Sequence, residues 1–188
     1  MGAGVIPFCV QGEQVLFLFH KTFSGRRAGH LVDFGGGGEP GEDHRQTAIR
    51  EFIEETETMY FSENVETAEL TQARIQAQTP LLESLFDRTL QSHSHWWCRR
   101  GAGSKGRPRD WKTFFIEFEY RDVTDMNRDW ERDAGTRFSK RRELLWMPAD
   151  SLCDLYEHAP DRLWKRVRQL VKARETIQLI KNCMGERV

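Results

Sequence analysis

The chain has 188 residues, 38% hydrophobic and 30% charged, which is the composition of a globular domain able to bury a substantial core. Lys+Arg total 28 against 29 for Asp+Glu, a formal net charge of −1, so overall charge excludes a general polyanion binder and leaves only local clusters for that role. No apolar run approaches the roughly 18–20 residues needed to cross a membrane.

The four cysteines, Cys9, Cys98, Cys153 and Cys183, form no CxxC pair and match neither a zinc site nor a disulfide framework. They read as reduced thiols. The opening MGAGVIPFCVQGEQ lacks the basic stretch of a secretory signal. The expectation is a cytoplasmic protein with one domain over residues 1–188.

Residues 5–10 and 15–20 are apolar runs split by Gln11-Gly12-Glu13, which predicts two strands and a tight turn. A loop over 22–29 carries Arg26 and Arg27, and 31–34 is a further short strand. Gly35 to Gly38 and Glu39-Pro40-Gly41-Glu42 predict a loop, since glycine weakens both helix and strand. A helix then runs from about Asp43 to Thr56. Residues 62–93 have a helical pattern, and Thr79-Pro80 looks like a helix start, so two helices are expected there. Residues 94–99 predict a strand and 101–110 a basic, glycine-containing loop. Over 113–120, Phe114, Ile116, Phe118 and Tyr120 alternate onto one strand face, with Glu117 and Glu119 on the other. Residues 122–140 are polar and poorly patterned, 144–147 form a short strand, and 149–157 and 160–183 read as helices. Strands and helices mix without regular alternation, so the fold class is α/β or α+β.

The helix over 45–56 carries the chemistry. At 100° per residue, Ala48, Ile49, Phe52 and Ile53 form an apolar stripe, and Arg50, Glu51, Glu54 and Glu55 lie opposite. Like charges at i, i+4 cost about 0.2–0.5 kcal/mol per pair. A divalent cation removes that repulsion, and Mg²⁺ suits a few carboxylates plus substrate phosphates. Arg50 stands four residues before Glu54 and can hold it, and Glu42 can reach the same place. The glycines allow backbone to approach a metal or a phosphate closely. Three glutamates alone would read as an ordinary solvated helix face.

Gly36, Glu42, Arg50, Glu51, apolar Phe52, Glu54 and Glu55 resemble the Nudix box: Gly, five residues, Glu, seven residues, Arg-Glu-apolar-any-Glu-Glu. Such a match should arise by chance in a chain of this length only about once in 10⁵. The box, residues 36–58, normally ends in glycine and an apolar residue; here those positions hold Glu57 and Thr58. A non-glycine residue there carries a backbone penalty at positive φ. The early hairpin and Trp146-Met147-Pro148 are also similar to the family.

The resemblance implies an α/β/α sandwich around a mixed sheet, with a helical insertion at about 62–93 and a C-terminal helix at about 160–183. It implies hydrolysis of a diphosphate bond in a nucleoside diphosphate-linked or related polyphosphate. Glu51, Glu54 and Glu55 would bind Mg²⁺ or Mn²⁺, Arg50 would orient a glutamate, Glu42 would be an outer ligand, and a carbonyl of Gly35–Gly37, Gly36 first, would complete the set. Glu54 is the first candidate for general base, with Glu131, Asp133 and Glu143 as later-loop alternatives.

Arg99, Arg100, Lys105, Arg107, Arg109 and Lys112 crowd one loop and are candidate contacts for extra phosphates, as in a dinucleoside polyphosphate, a capped RNA end or an inositol pyrophosphate. Arg26 and Arg27 offer a second basic pair. Trp96, Trp97 and Trp111 flank the basic loop and are either core or a stacking surface, and His93 and His95 lack the second pair that a metal site needs. The 62–93 segment is a candidate pocket wall, specificity element or homodimer contact. Two competing readings are a Nudix-fold binding module without catalysis and an RNA-binding protein using the 99–112 loop, the latter with a steep salt dependence.

Overall fold

The computed structural model describes residues 1–102 and 109–186. Strands β1 (Gly2–Gln11) and β2 (Gln14–Thr22) form the expected hairpin around Gly12, whose φ of 59° suits glycine. They are joined by β3 (Phe34–Gly37), β4 (Trp97–Arg99), β5 (Trp111–Glu117) and β6 (Arg142–Pro148). The order is β4-β5-β1-β2-β6. β5 runs parallel to β1 while the other pairs are antiparallel, so the sheet is mixed. β5 lines one edge of β1; β2 pairs with the second half of the other edge, from Phe8, and β3 with its first half, Gly2 to Val5.

Both faces of the sheet are covered, so its strands are apolar on both sides. Ala3, Val5, Leu18, Phe114, Ile116 and Leu144 pack under α1 (His44–Glu55), α2 (Gln72–Ser92) and α3 (Thr124–Arg132). Ile6, Phe8, Phe17, Phe19 and Phe115 pack under α4 (Ala149–His158) and α6 (Ala173–Gly185), with one-turn α5 (Lys165–Arg168) beside them. Phe115 explains why the second face of β5 is not the polar one that Glu117 and Glu119 suggest.

Five expectations need correction. The glycine run is a strand, not a loop. Gly35, Gly36 and Gly37 pair with Gly4, Ala3 and Gly2, and a Cβ on Gly35 would stand 2.4 Å from the Ala3 carbonyl oxygen. Glycine weakens an isolated strand, but here its missing side chain lets the two backbones meet. The segment at 31–34 is correspondingly not a regular strand; its Leu31 and Val32 make only isolated bridges.

The 62–93 segment holds one 21-residue helix rather than two, and 62–71 lie outside it. Pro80 sits inside it, and Thr71, not Thr79, caps its start by accepting from the Arg74 N–H. An internal proline costs about 3 kcal/mol, yet Leu82 and Phe86, both fully buried, continue the apolar stripe past it. Residues 122–140 contain α3, whose Met126 and Trp130 are buried four residues apart. The helix expected at 160–183 is broken twice. Leu31 N–H donates to the Arg162 carbonyl and Trp164 N–H donates to the Leu31 carbonyl, which diverts the chain at Leu163, and Val171 N–H donates to the Arg99 carbonyl before Lys172 turns with φ 60°. Leu163, Val167 and Leu170 stay buried throughout.

Phe52 links α1 to this architecture. It is fully buried and its ring meets Phe34 at 4.8 Å, Phe118 at 5.1 Å and Tyr60 at 5.4 Å. Phe52→Ala should lower unfolding stability by about 3–5 kcal/mol, read from urea denaturation. A loss below about 1 kcal/mol would show that α1 is anchored elsewhere.

Candidate active site

Helix α1 starts at a capping box. Asp43 accepts from Gln46 N–H at 2.8 Å, and Gln46 Oε1 accepts from Asp43 N–H at 2.9 Å. One turn later Thr47 Oγ1 donates to Glu42 Oε2 at 2.9 Å. The start of the helix is thereby tied to the loop before it.

Arg50 is the hub. Its Nε donates to Glu42 Oε1 at 2.7 Å, and Nη2 donates to Glu42 Oε2 at 3.1 Å and to the Gly37 carbonyl at 2.9 Å. Nη1 donates to Glu51 Oε1 at 3.2 Å and Glu54 Oε2 at 3.0 Å. These five bonds match the five N–H donors of a guanidinium. Glu42 also accepts from Glu39 N–H, and hydrogen bonding to Arg50 holds its pKa down at about 2. Arg50 is pushed above its usual value, first by its bond to Glu42.

Three successive glycines each meet a different side chain of α1. Gly35 N–H donates to Glu55 Oε2 at 2.8 Å. A Cβ on Gly36 would lie 2.1 Å from Glu51 Oε1, so the carboxylate fills the space a side chain would take. Gly37 offers its carbonyl to Arg50. Burial raises the Glu51 pKa against Arg50's pull, and pushes that of buried Glu55 up to about 7 against Arg166, Arg142 and the Gly35 N–H. Glu54 is the most open carboxylate, its side chain 34% exposed against 15% for Glu51 and 10% for Glu55.

The chemistry of this donor set fits a hard divalent ion: carboxylate oxygens on one turn of helix facing a glycine cradle. Among the described residues no three His, Cys, Asp or Glu side chains are gathered closely enough to hold a metal as they stand. Arg50 accounts for this, since its guanidinium stands between Glu42, Glu51 and Glu54.

The end of α1 shows what replaces the missing glycine. Glu57 and Thr58 have φ 52° and 60°, a conformation costing about 1–2 kcal/mol for each such residue. The helix still closes as a glycine-capped helix does: Glu57 N–H donates to Glu54 O, and Thr58 N–H to Ile53 O. Thr58 O accepts from Ser62 Oγ and Gln78 Nε2, both at 2.7 Å. The Glu57 carboxylate meets Arg142 Nη1 at 3.2 Å, with side-chain exposures of 5% and 11%.

Further polar groups lie beneath. Asp33 is fully buried, accepts from Arg166 Nε at 2.7 Å and from Thr113 Oγ1 at 3.2 Å, and its carbonyl takes Arg166 Nη2. The Arg166 guanidinium lies 4.5 Å from the Trp111 ring. His20 is fully buried, and neither ring nitrogen has a hydrogen-bond partner among the described residues. Burial first, then nearby Arg142, Arg166, Arg27 and Lys140, holds it neutral with a pKa well below its usual value. Sequence reading missed Arg142, Asp33, Arg166 and His20; the buried charges in strand-like runs, Asp33 after Leu31-Val32 and His20 ending Phe17-Leu18-Phe19, were the available signal.

The other candidates disperse. Arg27 reaches Glu55 Oε1 at 3.4 Å and lies 6.0 Å from the Trp164 ring, while Arg26 is exposed. Arg100 is bound to Gln169 Oε1, Arg99 is exposed on β4, with β5 and β1 between it and β3, and Lys105 and Arg107 lie outside the described residues. Asp133 is engaged with the N–H groups of Gly135, Thr136, Arg137 and Phe138, and Glu131 is an exposed partner of Arg141, so two of the three alternatives to Glu54 have other partners; the third, Glu143, lies on β6 opposite Lys21. Trp96 is buried against Phe8 and stacked on His93 at 3.5 Å, and Lys112 lies over Trp97. α2 does wall a pocket, an apolar one of about 510 Å³ with Tyr60, Phe61, Phe118 and Tyr120, but no box glutamate lines it.

An Ap4A hydrolase from C. elegans, solved as a binary complex, matches with a TM-score of 0.52 at 13% identity, over 98% of this chain and 97% of that one. A second C. elegans Ap4A hydrolase structure gives 0.48 at 13% identity over 97% and 96%. RenU, a Nudix hydrolase from M. smegmatis, gives 0.43 at 13% identity over 98% and 86%. No family model matches the chain, and no curated protein matches its sequence. The fold is therefore the Nudix-type α/β/α sandwich around a mixed sheet.

The buried Glu55 gives a signed pH dependence. Its folded pKa of about 7 exceeds the ordinary 4.5, so the folded state holds the proton more tightly and loses stability as pH rises between those values. In metal-free protein, Glu55→Gln should remove this loss, gaining up to about 3 kcal/mol over wild type at pH 8 relative to pH 4. Parallel stability curves for the two proteins, from urea denaturation in EDTA, would contradict it.

Proposed function

We propose that the chain is a Nudix hydrolase that cleaves a phosphoanhydride bond in a nucleoside diphosphate-linked or related polyphosphate, with Mg²⁺ or Mn²⁺ as cofactor. The observation that carries this reading is the Arg50 hub, which joins three of the four box carboxylates, Glu42, Glu51 and Glu54, to the glycine strand. A solvated helix face has no need of five hydrogen bonds from one buried-side arginine.

Glu51, Glu54 and Glu55, with the Gly36 carbonyl, would hold the ion, and Glu42 would remain the anchor of Arg50. The ion supplies charge neutralisation and Lewis acidity for attack of water on phosphorus. Arg50 keeps the carboxylates from scattering, and the cradle at Gly36 keeps Glu51 against the backbone. Glu54, the most open carboxylate, is the group best placed to take a proton from water at the mouth of the site. Arg27, beside Glu55, is the substrate-phosphate contact this reading favours.

The test is a substrate panel of ADP-ribose-like diphosphates, dinucleoside polyphosphates and inositol pyrophosphates, with Mg²⁺ or Mn²⁺ and identification of products. The expected outcome is turnover of at least one class, abolished by EDTA, with Glu54→Gln lowering kcat by about 10²–10⁴-fold while the fold persists. Tight binding without turnover by folded, metal-loaded protein would instead favour a binding module. No binding and no product from any compound would end the hydrolase reading.

A further inference from the structure

Position 57 is occupied in a way that needs a cause. A glycine there would adopt φ 52° freely, yet the chain places a glutamate and buries it to 4% exposure. Its carboxylate reaches across to Arg142 on β6, in register with Thr22 at the far end of β2. Arg142 is itself almost enclosed, and its Nε has no hydrogen-bond partner among the described residues. It also acts electrostatically on Glu55, two residues before Glu57. Two buried carboxylates two residues apart thus lie within the field of one buried guanidinium, and the structure gives them different partners. Glu57 takes Arg142, while Glu55 takes the Gly35 N–H and Arg27 Nη1.

We propose that Glu57 and Arg142 are positioning residues, in which the Glu57 carboxylate occupies Arg142 and thereby leaves Glu55 on the glycine strand, facing the ion site. The inference rests on the metal-dependent reading above. A buried guanidinium that loses its partner seeks the nearest carboxylate, because an unpaired charge there is costly. Glu55, buried two residues before Glu57 at the same end of α1, is the carboxylate of that helix it would capture. On this account the departure from the box pattern is a compensated change: the glutamate gives up glycine's backbone freedom and shields a ligand from a neighbouring cation.

The account predicts an unusual pattern across two variants. Removing Glu57 harms the ion site, and removing Arg142 as well repairs it. Mn²⁺ binding is read directly, by electron paramagnetic resonance of free Mn²⁺ and by water-proton relaxation, alongside thermal melting. Glu57→Gly should remain folded, with a relaxed backbone, and bind Mn²⁺ about 10-fold more weakly than wild type. The double variant E57G/R142L should return to within about 3-fold of wild type. Should Glu57→Gly prove unstable, Glu57→Gln keeps the side chain without its charge and carries the same expectation. Wild-type affinity in the folded Glu57 single variant would overturn the proposal, as would a double variant as weak as the single one. Wild-type protein that takes up no Mn²⁺ would overturn the metal reading and this inference together, whereas binding by wild type with unchanged variants would overturn this inference alone.

Discussion

The Arg50 guanidinium joins two parts of the chain that neither helix propensity nor strand pairing would bring together at side-chain precision. Each of its donors meets an oxygen of the loop or the helix. Because the planar fork fixes the direction of every bond, displacing any one carboxylate strains the others. Glu42 is the fixed end of this arrangement, held by Arg50, Thr47 and Glu39 together. Glu51 and Glu54 share one terminal nitrogen and are the freer end. A site of this kind has a rigid anchor and two carboxylates able to turn toward a cation.

The rest of the fold brings the glycine strand to that hub. β3 lies against Gly2–Val5 with no side chains intervening, which leaves Gly35, Gly36 and Gly37 as a bare backbone surface under α1. The apolar stripe of α1 presses the helix onto it through Phe34 and Phe52. Beneath, charges are buried in pairs: Asp33 with Arg166 and Glu57 with Arg142. Buried pairs add little net stability, but breaking one is costly, so they fix geometry more than they supply energy. The same logic explains two consecutive positive-φ residues closing α1 without glycine, since Thr58 and Glu57 are each anchored by hydrogen bonds or charge.

What could be read from the sequence was local. The spacing of Ala48, Ile49, Phe52 and Ile53 and the opposed glutamates defined α1 because both patterns depend only on helix period. The β1–β2 hairpin followed from its turn. The glycine strand was not legible, since its stability comes from a partner some thirty residues away and its composition argues for a loop. Nor was α2 legible as one helix, because Pro80 looks like a boundary until the burial of Leu82 and Phe86 is known. The C-terminal helix failed for the reverse reason: Leu163, Val167 and Leu170 keep their apolar spacing while the backbone is drawn off to Leu31 and Arg99. Within the site, Glu42 and Arg50 were legible from the box, whereas Arg142 and Arg166 stand 85 and 133 residues from the acids they meet. Charge partners at such distances leave no periodic trace.

Whether the carboxylates around Arg50 can converge on a cation is the question on which the functional account turns. A crystal soaked with Mn²⁺ and a non-hydrolysable diphosphate analogue, measured at the manganese absorption edge, answers it. The account predicts an anomalous peak bounded by Glu51, Glu54 and Glu55 and the glycine strand, with Arg50 still on Glu42. Absence of a peak, with Glu51 and Glu54 still bound to Arg50 at saturating Mn²⁺, would contradict it.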